Sequence, residues 1–159
     1  MKWVDKVVTF SEIPDEICLC VNISNCPYRC PGCHSSYLTQ DVGEVLTSEL
    51  LDQFVEQNPG ISCVCIMGGL EDEVLGLLSS CKFSHKGIKS AWYTGQPNIP
   101  NMSILAHLDY IKVGPYVDEA GPLTSKTTNQ RMYQVNHTNY SEIELIDITH
   151  KFWQSSPAE

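Results

Sequence analysis

The sequence predicts an α/β domain, either a partial (β/α) barrel or an open parallel sheet, on three observations. Short apolar runs end in glycine-containing turns, helical patterns follow two of them, and the chain is too short for a closed eight-stranded barrel of about 250 residues. Residues 17–23 (ICLCVNI) form the first run, rich in strand formers, and lead directly into a loop dense in cysteine. Across residues 47–57, Leu50, Leu51, Phe54 and Val55 share one helical face, Glu49 and Asp52 stand in the first turn, and Asn58-Pro59-Gly60 ends the pattern. Residues 62–67 (SCVCIM) repeat the apolar run and stop at Gly68-Gly69. Residues 71–80 then read as an acid-led helix with Val74, Leu75, Leu77 and Leu78 inward.

Residues 89–93, ending at Thr94-Gly95, and residues 110–113, ending at Gly114-Pro115, predict two more strands with a short helical piece near 103–107 between them. Four such units imply parallel strands joined by right-handed crossovers. Residues 116–130 are rich in Gly, Pro, Thr and Asn, residues 143–148 offer a last strand, and 154–159 form a polar tail. No linker or low-complexity tract interrupts the chain, so one domain is expected over 1–159, with its core at about 15–150.

Nineteen acidic residues against ten basic ones give a formal charge of −9, which argues against a nucleic-acid partner and for protein or small-molecule partners. The opening MKWVDKVVTF has no apolar signal segment and no run reaches membrane-spanning length, so a cytoplasmic, reducing compartment without a membrane partner is expected. There, clustered cysteines point to metal or catalysis more than to disulfides. Of the eight cysteines, Cys18, Cys20, Cys63 and Cys65 alternate at strand spacing within apolar runs, and these and Cys81 are expected to be small buried hydrophobes.

Cys26, Cys30 and Cys33 stand apart, three thiols spaced Cys-x3-Cys-x2-Cys within one short loop. Three readings compete. Structural zinc wants four ligands; His34 directly follows Cys33 and is poorly placed as the fourth, and no second Cys-x2-Cys follows. A redox pair would use Cys30 and Cys33 and leave Cys26 without a role. A four-iron, four-sulfur (4Fe-4S) cluster accounts for all three thiols and leaves one iron open to a bidentate small molecule, and this reading is favoured.

The triplet resembles the signature of the radical S-adenosylmethionine enzymes. Asn25-Cys26-Pro27-Tyr28-Arg29-Cys30-Pro31-Gly32-Cys33-His34, Met67-Gly68-Gly69, Trp92-Tyr93-Thr94-Gly95, Lys112-Val113-Gly114-Pro115-Tyr116 and Thr128-Asn129-Gln130-Arg131 resemble, in order, the activating proteins of anaerobic ribonucleoside-triphosphate reductase. The resemblance covers nearly the whole chain and implies a fold of the radical S-adenosylmethionine type. It also implies a 4Fe-4S cluster on Cys26, Cys30 and Cys33 whose unique iron takes the amino and carboxylate groups of S-adenosylmethionine. An electron from an external one-electron donor would cleave the sulfonium, and the resulting 5'-deoxyadenosyl radical would take a hydrogen atom from a glycine of the reductase. Another glycyl radical enzyme as partner, or a small radical enzyme acting on a peptide, is the alternative within this class; outside it stands a non-catalytic zinc-binding interaction module.

By the same resemblance, backbone groups around Gly32, Cys33 and His34 would meet the adenosine, His34 itself being read as a loop histidine. Carbonyls of Gly68 and Gly69 would meet the cofactor's amino group, and Tyr93, Thr94 and Gly95 would line the pocket. An acidic residue commonly follows the glycine pair in the family; Leu70 follows here, with Glu71 or Asp72 one or two positions on. Lys112 could pair with a cofactor carboxylate, although a solvated lysine is the commoner outcome. Arg131 is a docking or scaffold residue.

Overall fold

The computed structural model describes residues 1–26, 36–139 and 142–153. In chain order its strands are β1 (Lys2–Thr9), β2 (Cys18–Ile23), β3 (Glu44–Val45), β4 (Cys63–Met67), β5 (Lys89–Tyr93), β6 (Tyr110–Val113), β7 (Arg131–Asn139) and β8 (Glu142–Asp147). The helices are α1 (Ser48–Glu56), α2 (Glu71–Ser80) and the single turn α3 (Met102–Leu105). All the strands join one sheet in the order β3-β1-β2-β4-β5-β6-β7-β8.

The expected fold class is overturned. β2, β4, β5 and β6 do run parallel, with Cys20 beside Cys65, Cys65 beside Ala91, and Ala91 beside Tyr110. They are only the middle of a mixed sheet. β1 lies antiparallel on β2, and the β7–β8 hairpin lies antiparallel on β6. Among the described residues the chain is mainly β with three α-helices, not a helix-rich partial barrel or an all-parallel sheet. The crossover from β5 to β6 holds only the four-residue α3, so the repeated strand-helix unit that would curl a barrel is missing there. Antiparallel strands at both ends of a parallel block are a common way to finish such a sheet.

One face of the sheet is covered by helices. Leu19, Val21, Ile23, Val64, Ile66, Trp92 and Ile111 pack with Leu51, Phe54 and Val55 of α1, Val74, Leu77 and Leu78 of α2, and Ile104 and Leu105 of α3. Thr47 caps α1, its hydroxyl accepting from the Leu50 amide at 3.1 Å. The Asp52 carboxylate accepts from the amides of Lys82 (3.0 Å) and Phe83 (3.1 Å) and so ties α1 to the chain leaving α2. No helix among the described residues is long and apolar enough to cross a membrane.

The opposite face carries a layer of thiols. Cys18, Cys20, Cys63 and Cys65 sit with Ala91, Tyr110 and Met132 under Ile13 and Ile148, and none of the four thiols is more than 1% exposed. The register sets Cys18 beside Cys63 and Cys20 beside Cys65. A hydrogen bond to Cys18 and burial push the Cys63 thiol up, burial pushes Cys65 well up, and burial pushes Cys81 up to about 12. Cys63, Cys65 and Cys81 stay protonated, and all five buried cysteines fill core volume as expected.

At the amino ends of the strands, Glu16 is 6% exposed and accepts from Ser62 Oγ at 2.7 Å, Lys89 Nζ at 2.7 Å and Tyr110 Oη at 2.6 Å. Burial opposes its ionisation, and the hydrogen bonds from Lys89, Tyr110 and Ser62 outweigh burial, so its carboxyl lies below the usual carboxylate value. A group held low in the fold stabilises above its unfolded value and loses that contribution as pH falls through its folded value. Glu16→Gln should therefore cost about 2 kcal/mol near neutral pH, the scale of a lost charge-assisted network. The gap between variant and wild type should close as pH drops below about 4, near the ordinary carboxylate value. Urea unfolding of both proteins across pH checks this; a gap that does not change with pH would contradict it.

Candidate functional site

Because β2, β4, β5 and β6 are parallel, the segments that follow them meet along one carboxyl rim: Asn25-Cys26, Gly68-Gly69, Thr94-Gly95 and Gly114-Pro115. This is the side on which open sheets hold ligands. Cys26 is a half-buried free thiol two residues past Ser24. Its amide donates to Leu38 O at 2.8 Å and the Asn25 amide to Gln40 O at 3.0 Å, so the chain that leaves β2 is tied back to its own exit. Cys30, Cys33, Gly32 and His34 lie outside the described residues. Among the described residues no three His, Cys, Asp or Glu side chains are placed to share a metal ion.

Gly68 and Gly69 both have positive φ, 117° and 87°, a conformation other residues rarely adopt. A Cβ on Gly68 would stand 3.3 Å from Ile23 O, and one on Gly69 would stand 3.1 Å from a Val74 methyl, so the glycines let the ends of β2 and β4 and the start of α2 close up. Gly68 O accepts from Trp92 Nε1 at 2.8 Å, an engagement absent from the sequence reading. At the position after the glycines, Leu70 is exposed. Glu71 Oε1 accepts from the Asn101 amide at 2.7 Å and binds the loop before α3 to α2, and Asp72 is exposed.

A cavity of about 430 Å³ opens at this rim on the thiol-bearing face, with Glu12, Tyr93, Lys112, Tyr116, Gln130 and Phe152 in its lining. That volume lies within the range of small-molecule sites. Tyr93 Oη donates to Glu12 O, and burial pushes the phenol well up. The Thr94 amide donates to Lys112 O at 2.9 Å and fixes the β5 exit against β6. Burial pushes the Glu12 carboxyl up.

The expectation of a solvated Lys112 is corrected. The residue is 9% exposed, its ammonium donates to Gly114 O at 3.2 Å and Thr94 O at 3.5 Å, and it lies 5.7 Å from the Tyr93 ring centroid. Segments far along the chain, carrying Leu123 and Phe152, cover this face, which the local sequence around Lys112 does not reveal. A nearly buried ammonium in a cavity can hold a carboxylate or another anion. Arg131 opens β7 beside Val113, its guanidinium 3.6 Å from Asp147 and 6.0 Å from the Trp153 ring centroid. Glu12 and Gln130 were missed as lining residues: nothing near Glu12 marks it, and Gln130 stands in the segment Thr128-Asn129-Gln130-Arg131, from which only Arg131 was singled out.

No family model, curated protein or solved structure matches the chain.

Proposed function

We propose that this chain is an activase that holds a 4Fe-4S cluster on Cys26, Cys30 and Cys33, reductively cleaves S-adenosylmethionine, and generates a glycyl radical on anaerobic ribonucleoside-triphosphate reductase. The observation that carries the reading is the convergence on one rim of segments far apart in sequence: Asn25-Cys26, Gly68-Gly69, Tyr93-Thr94-Gly95 and Lys112 to Pro115.

Two observations among the described residues support the reading. Cys26 is an unpaired thiol on the carboxyl rim, in contrast to the buried thiols of the sheet, and the cavity beside β5 and β6 has the size and the ammonium that a carboxylate-bearing nucleoside cofactor needs. When bound, the cluster supplies one low-potential electron for cleavage of a carbon–sulfur bond. The chain's own residues position and enclose. Lys112 would hold the cofactor carboxylate, and the Tyr93 ring would wall the pocket and keep water from it; Gly68 and Gly69, expected as contacts to the amino group, are not in the lining of this cavity. Gly32, Cys33 and His34 are assigned to the adenosine side.

The test mixes anaerobically reconstituted protein with purified reductase, S-adenosylmethionine and dithionite and records the electron paramagnetic resonance spectrum. A glycyl radical signal on the reductase is expected. Cleavage without that signal would move the assignment to another glycyl radical enzyme, and absence of cleavage would overturn the activase reading.

A further inference from the structure

We infer that Glu12 is a ligand-binding residue: the cavity over β5 and β6 takes an α-amino acid, or a molecule bearing one, with its carboxylate on Lys112 and its amino group on Glu12. This rests on the reading above in taking the cavity as the cofactor site, and it moves the amino group from the glycine pair to an acid outside every segment that carries the resemblance.

Glu12 stands in the turn between β1 and β2 and reaches the cavity from above the sheet. Tyr93 fixes it there. The tyrosine lies beside Lys112 across β5 and β6, its hydroxyl donates to Glu12 O, and its ring centroid is 5.7 Å from the Lys112 ammonium. An aromatic ring thus holds an acid and a base in one cavity wall without an ion pair between them. Among the described residues no hydrogen bond or ion pair reaches the Glu12 carboxylate, and burial raises its carboxyl with no base or donor to oppose it. A half-buried carboxylate without a donor costs stability. The N–H groups of a bound amine would remove that cost.

The pairing of charges selects the ligand. Lys112 disfavours an amine that lacks a carboxylate, and Glu12 disfavours an acid that lacks an amine, so both together in about 430 Å³ favour a molecule carrying the two groups close to one another. Leu123 and Phe152 give the rest of that molecule an apolar wall.

Titration calorimetry on the full chain, anaerobic and without reductant, would compare S-adenosylmethionine with its analogue carrying hydrogen in place of the amino group. Glu12→Gln should weaken S-adenosylmethionine about 10–100-fold, the scale of a lost charge-assisted hydrogen bond, and leave the analogue within about two-fold of its wild-type affinity. Without ligand, Glu12→Gln should melt no lower than wild type, because the amide removes a buried unpaired charge. S-adenosylmethionine binding that the variant keeps, equal weakening of both ligands, a variant that melts lower, or a wild type that binds neither ligand would each overturn the inference. Binding kept by Glu12→Gln with reductive cleavage intact leaves the activase reading standing. Glu12-dependent binding without cleavage overturns that reading and supports the amino-acid site.

Discussion

Cys26→Ala should abolish iron loading and S-adenosylmethionine cleavage while the protein melts within about 2 °C of wild type. Cys26 is half-buried, lies past the end of β2, and its local ties run through its backbone amide to Leu38, which alanine keeps. Cys65→Ser should behave in the opposite way. Cys65 is fully buried between Cys20 and Ala91 in the sheet, and a hydroxyl forced there without a partner costs about 1–3 kcal/mol. For a chain of this size the melting temperature should fall by roughly 3–10 °C, with iron binding retained. Anaerobic reconstitution with iron analysis, followed by calorimetry, separates the two behaviours. Full iron in Cys26→Ala, or lost iron in a folded Cys65→Ser protein, would refute this division of the cysteines.

Lys112→Met should raise the KM for S-adenosylmethionine by about 10–100-fold and change kcat little, the signature of a lost charge-assisted contact made equally in ground and transition states. The argument rests on burial. An ammonium less than a tenth exposed is costly unless dipoles or charges compensate, and Thr94 O and Gly114 O supply part of that compensation at the cavity wall. Titration calorimetry with S-adenosylmethionine should show the same weakening. If the variant binds the cofactor as the wild type does, Lys112 is only a strut between the β5 and β6 exits.

The central strands were legible because both of their faces are buried. β2, β4, β5 and β6 read as near-continuous apolar runs, and α1 and α2 announce themselves by spacing, by Thr47, and by the Asn58-Pro59-Gly60 stop. The flanking strands have no such signal. In β1, residues 5–8 are all exposed and Val7-Val8 breaks alternation; in β7, Met132 and Val135 are the buried apolar residues among Gln134, Asn136, His137 and Thr138. Missing them turned a mixed sheet into an all-parallel one. Of the site, the positions of Cys26, Gly68, Gly69 and Tyr93 at strand ends follow from local pattern. The burial of Lys112 and the presence of Glu12 beside it follow only from tertiary cover. Glu16, whose three partners lie 46, 73 and 94 residues away, could not be told from any other loop acid.

The measurement closest to the central claim is the iron and sulfide content, with the Mössbauer spectrum, of wild-type protein isolated without air. The account predicts about four irons per chain in a cubane with one iron distinct from the other three, its environment changing when S-adenosylmethionine is added. Stoichiometric zinc in place of iron, or a cubane whose irons are all alike and indifferent to the cofactor, would contradict it.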